Sequence, residues 1–275
     1  MFKSVTFNDA FTMFNTKEKR YPNGDVVIKR INNLCYKKND GYEPSDGEKQ
    51  TRSEKTFETE EERTEYLEKK AVENMIRTRT CIYDLARANE WTHFVTLTFS
   101  NETCDRYDYS DCIKQISKYM DNFKQRNKET CPNFRYLLVH EKHKDGAFHF
   151  HGVINLEDTS KLVKAVYPPG AKKENQNIIV NGKQIYNWET YKKGFSTLTE
   201  MNDFEKTCMY ITKYISKDVN EDYQKGRRRY IYSSNCIKPT VSRYMSDMEE
   251  FEIFDPLYQS IYSTGFQYNI FDYID

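Results

Sequence analysis

The chain has 275 residues and a balanced charge, with 42 Lys and Arg against 42 Asp and Glu, a length that suits one large domain or one domain with extensions. Aromatic residues make up 15% of the sequence, which argues against a largely disordered chain. No run of 18 apolar residues and no Cys-x-x-Cys pair occurs, which excludes a helical membrane span and the common zinc fingers. We therefore expect a protein without a membrane partner and, since no apolar signal segment is seen, a cytoplasmic one.

The first part of the chain predicts a polar extension followed by a long helix. A short strand is expected at residues 26–28, after a Pro-Asn-Gly turn. Residues 39–56 contain almost no apolar side chains, which predicts a linker. Apolar residues then recur with helical spacing from residue 60 to residue 89. We divide this part into an N-terminal extension with its linker at 1–60 and a helical segment at 61–90.

From residue 91 the pattern changes to short strands and amphipathic helices. Strands are expected at 94–99, 134–141, 148–155 and 195–198, helices at 111–126, 159–166 and 203–217, and a hairpin at 178–186 around Asn181-Gly182. This order predicts an α+β fold in which helices flank a central antiparallel sheet, close to the ferredoxin-like arrangement. We assign it to a domain at 91–245, followed at 246–275 by an acidic tail without Lys or Arg.

Four of the five histidines lie close together, at positions 140, 143, 149 and 151. His149 and His151 are two apart in a predicted strand, so both imidazoles point to the same face of the sheet. A two-residue turn before these histidines would direct Glu141 to the opposite face. A three-residue loop with Gly146 in the left-handed conformation would place Glu141 opposite His149. We favour the three-residue loop because glycine then occupies the position that requires a positive φ.

In this register Glu141, His149 and His151 form a divalent-metal site with open positions. Such a site suits an ion that also binds a substrate oxygen, and it has too few ligands for a closed structural zinc site. His143 lies on the same face and is the alternative third ligand. The other interpretation is a polar hairpin face whose histidines are solvated or stacked.

A second candidate site is a tandem Tyr-x-x-Lys in the predicted helix at 203–217. Tyr210 and Tyr214 are four residues apart and share a helix face, and Lys213 and Lys217 each follow a tyrosine by three. A phenol needs a nearby cation and a polarised phosphate to act as a nucleophile. Taken alone, the same pattern is also that of an amphipathic helix with a buried face and snorkelling lysines.

Three motifs therefore stand in order: Thr96-Leu97-Thr98, His149-Phe150-His151 and Tyr210-x3-Tyr214 with its lysines. This set resembles the rolling-circle replication initiators (Rep proteins) of the HUH endonuclease superfamily, in the branch found in single-stranded DNA phages and some plasmids. The resemblance covers about residues 89–245, and the paired tyrosines resemble the two-tyrosine initiators. It implies a palm of ferredoxin or RRM type, and site-specific nicking and joining of one DNA strand through a 5′-phosphotyrosine.

The resemblance also implies a role for each candidate residue. His149, His151 and an acidic or histidine ligand, for which we favour Glu141, would hold Mg²⁺ or Mn²⁺. Tyr210 or Tyr214 would attack the scissile phosphate, while Lys213 and Lys217 would orient the tyrosines and offset charge. The candidate DNA contacts are Thr96, Thr98, Arg227, Arg228 and Arg229.

The implied substrate is an origin in single-stranded DNA, in the cytoplasm of a bacterial host cell. The sequence has no Gly-x4-Gly-Lys-Ser/Thr phosphate loop, so we expect a separate helicase, together with a host DNA polymerase. One alternative is a non-catalytic RRM-like nucleic-acid-binding protein, which would not need His149, His151 and Tyr210 together. A second is a metal-dependent hydrolase, which would cleave its substrate and form no covalent adduct.

Overall fold

The computed structural model describes residues 5–8, 11–39, 56–201 and 228–273. The chain forms two compact units, Met1–Thr64 with Lys238–Asp275, and Glu65–Ile237. This division differs from the predicted boundaries at 60, 90 and 245, because the N-terminal extension and the acidic tail both contribute strands to one sheet. The assignment of functions to these segments stays a prediction.

The described residues contain two α-helices, two 3-10 helices and fifteen strands. The α-helices are α1 (Glu60–Arg87) and α2 (Tyr109–Arg126), the 3-10 helices are Met248–Phe251 and Ile270–Tyr273, and the strands are β1 (Val5–Asn8), β2 (Phe11–Arg20), β3 (Asp25–Lys38), β4 (His93–Leu97), β5 (Arg135–Lys142), β6 (Phe148–Asn155), β7 (Leu162–Lys164), β8 (Ile179–Val180), β9 (Lys183–Gln184), β10 (Tyr186–Trp188), β11 (Ser196–Glu200), β12 (Tyr230–Tyr232), β13 (Thr240–Tyr244), β14 (Pro256–Gln259) and β15 (Ser263–Asn269). Within these ranges no helix has the length and apolar character to cross a membrane.

The predicted α+β class and the antiparallel sheet are confirmed, whereas the ferredoxin-like arrangement stays a prediction. The helix predicted at 159–166 is wrong. Its centre is strand β7, which pairs with β10, so Leu162 packs on the core while Val163 is exposed. The strand predicted at 26–28 is much longer and forms β3. The helix predicted at 203–217 and nearly all of the predicted linker lie outside the described residues.

The Glu65–Ile237 unit contains a seven-stranded sheet in the order β12-β5-β6-β4-β11-β10-β7, and every neighbouring pair is antiparallel. Helix α2 begins after Asp108, whose side chain accepts a hydrogen bond from the Ser110 amide. Its apolar residues Ile116 and Met120 are fully buried in a core with Phe150 of β6.

Helix α1 contributes to a separate apolar cluster of the same unit. Ile82 and Leu85 pack there with Leu137 of β5 and Val153 of β6. Side chains alternate along a strand, so Val153 lies on the sheet face opposite to Phe150. His149 and His151 share this second face with Val153, and the candidate site therefore lies beyond the cluster on the same side of the sheet.

The other unit contains a six-stranded antiparallel sheet in the order β1-β2-β3-β15-β14, with β13 paired to β2. Its core consists of Val26, Ile28, Tyr244, Phe251 and Phe266. These residues come from both ends of the chain, so strands distant in sequence close one sheet.

Candidate metal centre

The candidate site is built on the hairpin of β5 and β6. Residues 144–146 form a three-residue loop, in which the His143 amide donates to the Ala147 carbonyl at 2.8 Å and the Gly146 amide donates to the His143 carbonyl at 2.8 Å. Gly146 has a φ of 87°, which is the left-handed region where glycine carries no side-chain penalty. The register pairs Glu141 with His149. The predicted loop and register are both confirmed.

The side chains of Glu141, His149 and His151 converge on one point. Their candidate ligand atoms all lie within 4.8 Å of one another. Oε2 of Glu141 is 3.4 Å from Nε2 of His149 and 3.2 Å from Nε2 of His151. Ligand atoms about 2.1 Å from an ion and at right angles to each other lie about 3 Å apart. The three side chains therefore fit a shared divalent cation and leave most of an octahedral shell open to other oxygens.

His149 is held in the neutral form that a metal requires. Burial lowers the pKa of this imidazole to about 4, and charge on His151 and His143 acts in the same direction, against a smaller opposing effect of Glu141. At neutral pH the contact between His149 and Glu141 is therefore not an ion pair of the protein alone. Metal binding to a neutral imidazole releases no proton, so the site is ready for a cation.

The hydroxyl of Thr96 lies behind the His151 ring. Strands β4 and β6 pair Thr96 with His151, and Oγ1 of Thr96 is 2.9 Å from Nδ1 of His151. A hydrogen bond at the ring nitrogen remote from the metal orients a histidine ligand. Sequence reasoning proposed Thr96 only as a DNA contact and missed this role. The available signal was the shared face of two motifs that lie on neighbouring strands.

The other histidines of the cluster lie outside the ligand group. The His143 ring stacks on His149 with ring centroids 3.8 Å apart. His140 points to the opposite face of the sheet, where its ring meets Tyr109 at 4.8 Å and Phe148 at 5.9 Å edge to face. Four histidines that are clustered in sequence therefore divide into two ligands, one stacked neighbour and one core residue.

The remaining predicted DNA contacts are only partly described. The Thr98 hydroxyl donates to the Phe195 carbonyl at 3.1 Å and accepts from the Phe195 amide at 3.0 Å. The carbonyl of Arg228 accepts a hydrogen bond from the Tyr109 hydroxyl. Arg229 directly precedes β12, the strand next to β5. The other predicted residues lie outside the described residues, namely Tyr210, Lys213, Tyr214, Lys217 and Arg227.

A family model of the replication-associated protein ORF2 matches residues 92–219. The matched range contains strand β4, the β5–β6 hairpin with its three candidate ligands, and the sequence of the paired tyrosines. The match is consistent with a Rep-type replication initiator and implies a DNA partner. The curated proteins and the solved structures give no significant match.

Proposed function

We propose that this chain is a rolling-circle replication initiator that nicks and rejoins one DNA strand at an origin. The observation that carries the proposal is the convergence of Glu141, His149 and His151 within a region that matches a replication-associated family. A polar hairpin face with solvated histidines would not require both Nε2 atoms to approach the same carboxylate oxygen.

The three ligands would hold Mg²⁺ or Mn²⁺, and the bound ion would polarise the scissile phosphate. The neutral state of His149 and the carboxylate of Glu141 together suit a hard divalent cation. The hydroxyl of Thr96 would keep the His151 ring in its binding orientation.

The nucleophile in this proposal is the phenol oxygen of Tyr210 or Tyr214. That oxygen forms a bond to phosphorus and its proton passes to solvent, while the bond from phosphorus to the 3′ oxygen breaks. The 3′ oxygen takes up a proton and leaves as the 3′-OH that primes synthesis. Lys213 and Lys217 would orient the tyrosines and offset the negative charge that develops on the phosphate. Attack of a 3′-OH on the phosphotyrosine reverses the chemistry and joins the strand.

The proposal includes the predicted partners of the reaction. Arg227, Arg228 and Arg229 would contact the phosphates of a single-stranded origin, and Thr96 and Thr98 would lie along the same strand of DNA. A separate helicase would open the duplex, and a host polymerase would extend the 3′-OH in the bacterial cytoplasm.

A gel assay for a covalent adduct tests the proposal. The chain is incubated with end-labelled single-stranded oligonucleotides of random sequence and Mn²⁺ or Mg²⁺, then denatured and separated. We expect protein linked to the 5′ end of a cleaved strand, and no product with EDTA, His149→Ala or His151→Ala. His143→Ala is the matched histidine control and should retain the adduct.

The same gel separates the alternatives. Cleavage without an adduct would support a hydrolase. Binding without cleavage would support a non-catalytic nucleic-acid-binding module. Either result from the wild-type chain, with both metal ions tested, would overturn the proposed nicking chemistry.

A further inference from the structure

A row of side chains crosses five strands of the sheet in the unit formed by the two ends of the chain. Arg243 of β13 pairs with Lys17 of β2, and Lys17 pairs with Lys29 of β3. Lys29 then pairs with Gly265 of β15, and Gly265 pairs with Tyr258 of β14. Residues in direct register share a face, so three cations and an aromatic ring form one continuous row. This row lies outside the range that the family model matches.

The row lies on the open face of the sheet. The residues that alternate with it, among them Ile28, Tyr244 and Phe266, form the buried core. Lys29 is exposed, and Tyr258 is 43% exposed.

The acidic segment belongs to the opposite face. The 3-10 helix at Met248–Phe251 places Phe251 against the core residue Phe266, with ring centroids 5.2 Å apart. Its neighbours Glu249 and Glu250 are therefore on the core side of the sheet. Asp25, at the start of β3, shares the face of Lys29 and is bonded to the side chains of Asn23 and Asn269. Charge in this unit is thus separated by face as well as by sequence.

Stability of the sheet alone does not account for the row. Like charges directly opposite each other on neighbouring strands destabilise a sheet. Lysines that protect a sheet from aggregation belong on edge strands, whereas β2 and β3 both have a partner on each side. Within the described residues neither Lys29 nor Arg243 forms an ion pair, and the Arg243 guanidinium lies 5.8 Å from the Phe14 ring centroid. A bound polyanion would offset the repulsion.

The aromatic end of the row depends on Gly265. A Cβ at this position would lie 2.0 Å from Cε1 of Tyr258, so the phenol ring lies directly over the glycine. This arrangement holds the ring on the same face as Lys29, one strand beyond it. Cations along a backbone path with an exposed aromatic ring beside them are the elements of a single-stranded nucleic-acid surface, where phosphates meet the cations and a base stacks on the ring.

We propose that Arg243, Lys17, Lys29 and Tyr258 form a second binding surface for single-stranded DNA, separate from the metal centre. Strands are about 4.8 Å apart, so the three cations span about 10 Å along the row. The choice of DNA rests on the proposed nicking function, whereas the binding surface itself does not need the nicking chemistry. Its role would be to hold a strand by its backbone without reading the sequence.

Fluorescence anisotropy with a labelled oligo-dT strand tests this surface in the full chain. EDTA is present, so that no nicking contributes to the signal. The double variant Lys29→Gln/Arg243→Gln should bind about tenfold or more weakly at about 100 mM salt, and the salt slope should be shallower by about 1.4, because each phosphate contact contributes about 0.7. Tyr258→Ala should bind about tenfold more weakly, and Tyr258→Phe should bind like the wild type.

The matched control is Lys172→Gln/Lys173→Gln, which removes the same charge from exposed positions of the other unit. It should retain the wild-type salt slope, as should Lys29→Arg/Arg243→Lys. Thermal unfolding by circular dichroism verifies that each variant is folded. An unchanged slope in Lys29→Gln/Arg243→Gln, or an equal loss in the control, would overturn the proposal. The adduct gel is a separate readout, so the failure of either proposal is seen independently of the other.

Discussion

The two imidazoles of the candidate metal centre differ in what supports them. His151 directs Nε2 to Glu141 and Nδ1 to the Thr96 hydroxyl. His149 also directs Nε2 to Glu141, but its Nδ1 is buried without a hydrogen-bond partner in the described part of the chain. Packing must therefore hold the His149 ring, mainly by the stacked His143 ring, while a hydrogen bond orients His151.

Thr96→Val should weaken metal binding while leaving the fold intact. Valine keeps the shape of threonine but removes the hydroxyl that orients His151. Loss of such an outer partner typically costs about 10- to 100-fold in metal affinity. Isothermal titration with Mn²⁺ measures the change. Thr197→Val is the control, because Thr197 pairs with Thr96 from the next strand. Equal affinity of the Thr96→Val chain and the wild type would contradict the orienting role.

Glu141→Ala should remove Mn²⁺ binding, whereas His143→Ala should retain it within about tenfold. The carboxylate oxygen of Glu141 is close to both ligand nitrogens, while His143 contacts only the face of the His149 ring. Loss of one of three ligands is expected to abolish a site of this kind. The same titration tests both variants. The reverse order of affinities would make His143 the third ligand.

At this scale the sequence predicted the ligands but not their support. Alternation along β6 and the glycine in the loop were enough to place Glu141 against His149 and His151. The bond from Thr96 was missed because it joins strands 55 residues apart, and no local pattern states which strands become neighbours. His140 could have been separated from the cluster, since it is adjacent to Glu141 and must point to the other face.

Two glycines of the hairpin are needed for different reasons. Gly146 has a positive φ, and a Cβ there would meet only the Tyr107 ring, at 3.9 Å. Gly152 lies on β6 beside His151, and a Cβ there would lie 2.0 Å from the Leu137 carbonyl oxygen. The first glycine permits the loop, and the second permits the close approach of β5 to β6.

Gly152→Ala should therefore be more harmful than Gly146→Ala. Alanine at 146 costs about 1 kcal/mol through its left-handed backbone, whereas alanine at 152 requires β5 or β6 to move, at a cost of about 3 kcal/mol. Denaturant unfolding measures both. Gly170→Ala is the control, with a φ of 83° and nothing within 4 Å of a Cβ. Equal destabilisation by all three would show that the contact at 152 is relieved at little cost.

Local sequence signals predicted isolated elements better than paired ones. The helices α1 and α2 were found from their periodicity, and the hairpin of β8 and β9 from Asn181-Gly182, both of which have positive φ. Strand β7 was mistaken for a helix because its identity depends on pairing with β10. The sheet that joins β3 to β15 was not predicted, since its strands come from opposite ends of the chain.

At the scale of the whole molecule, zero net charge conceals a separation of charge. Residues 246–275 carry acidic groups and no Lys or Arg, and the rest of the chain carries the corresponding excess of cations. Balanced composition is usually a reason to doubt nucleic-acid binding. That reason weakens when acids and bases occupy different faces, as they do around the row that runs from Arg243 to Tyr258.

The complete reaction would need both tyrosines of the tandem motif. Tyr210 and Tyr214 are one helical turn apart in a predicted helix, about 5.4 Å along its axis. One phenol could then hold the 5′ end of the nicked strand while the other attacks the regenerated junction. Strand transfer would occur without release of the DNA.

Tyr210→Phe and Tyr214→Phe should therefore each still form a covalent adduct but fail to produce joined circles, and the double variant should form no adduct. Tyr262→Phe, at an exposed position, is the control and should nick and join like the wild type. Denaturing gels follow the adduct and the circles, and peptide mapping of the wild-type adduct locates the label. If one single variant is inactive in adduct formation while the other joins normally, only one tyrosine is a nucleophile. The second phenol then serves to pack the helix, and the release of circles must proceed by another route.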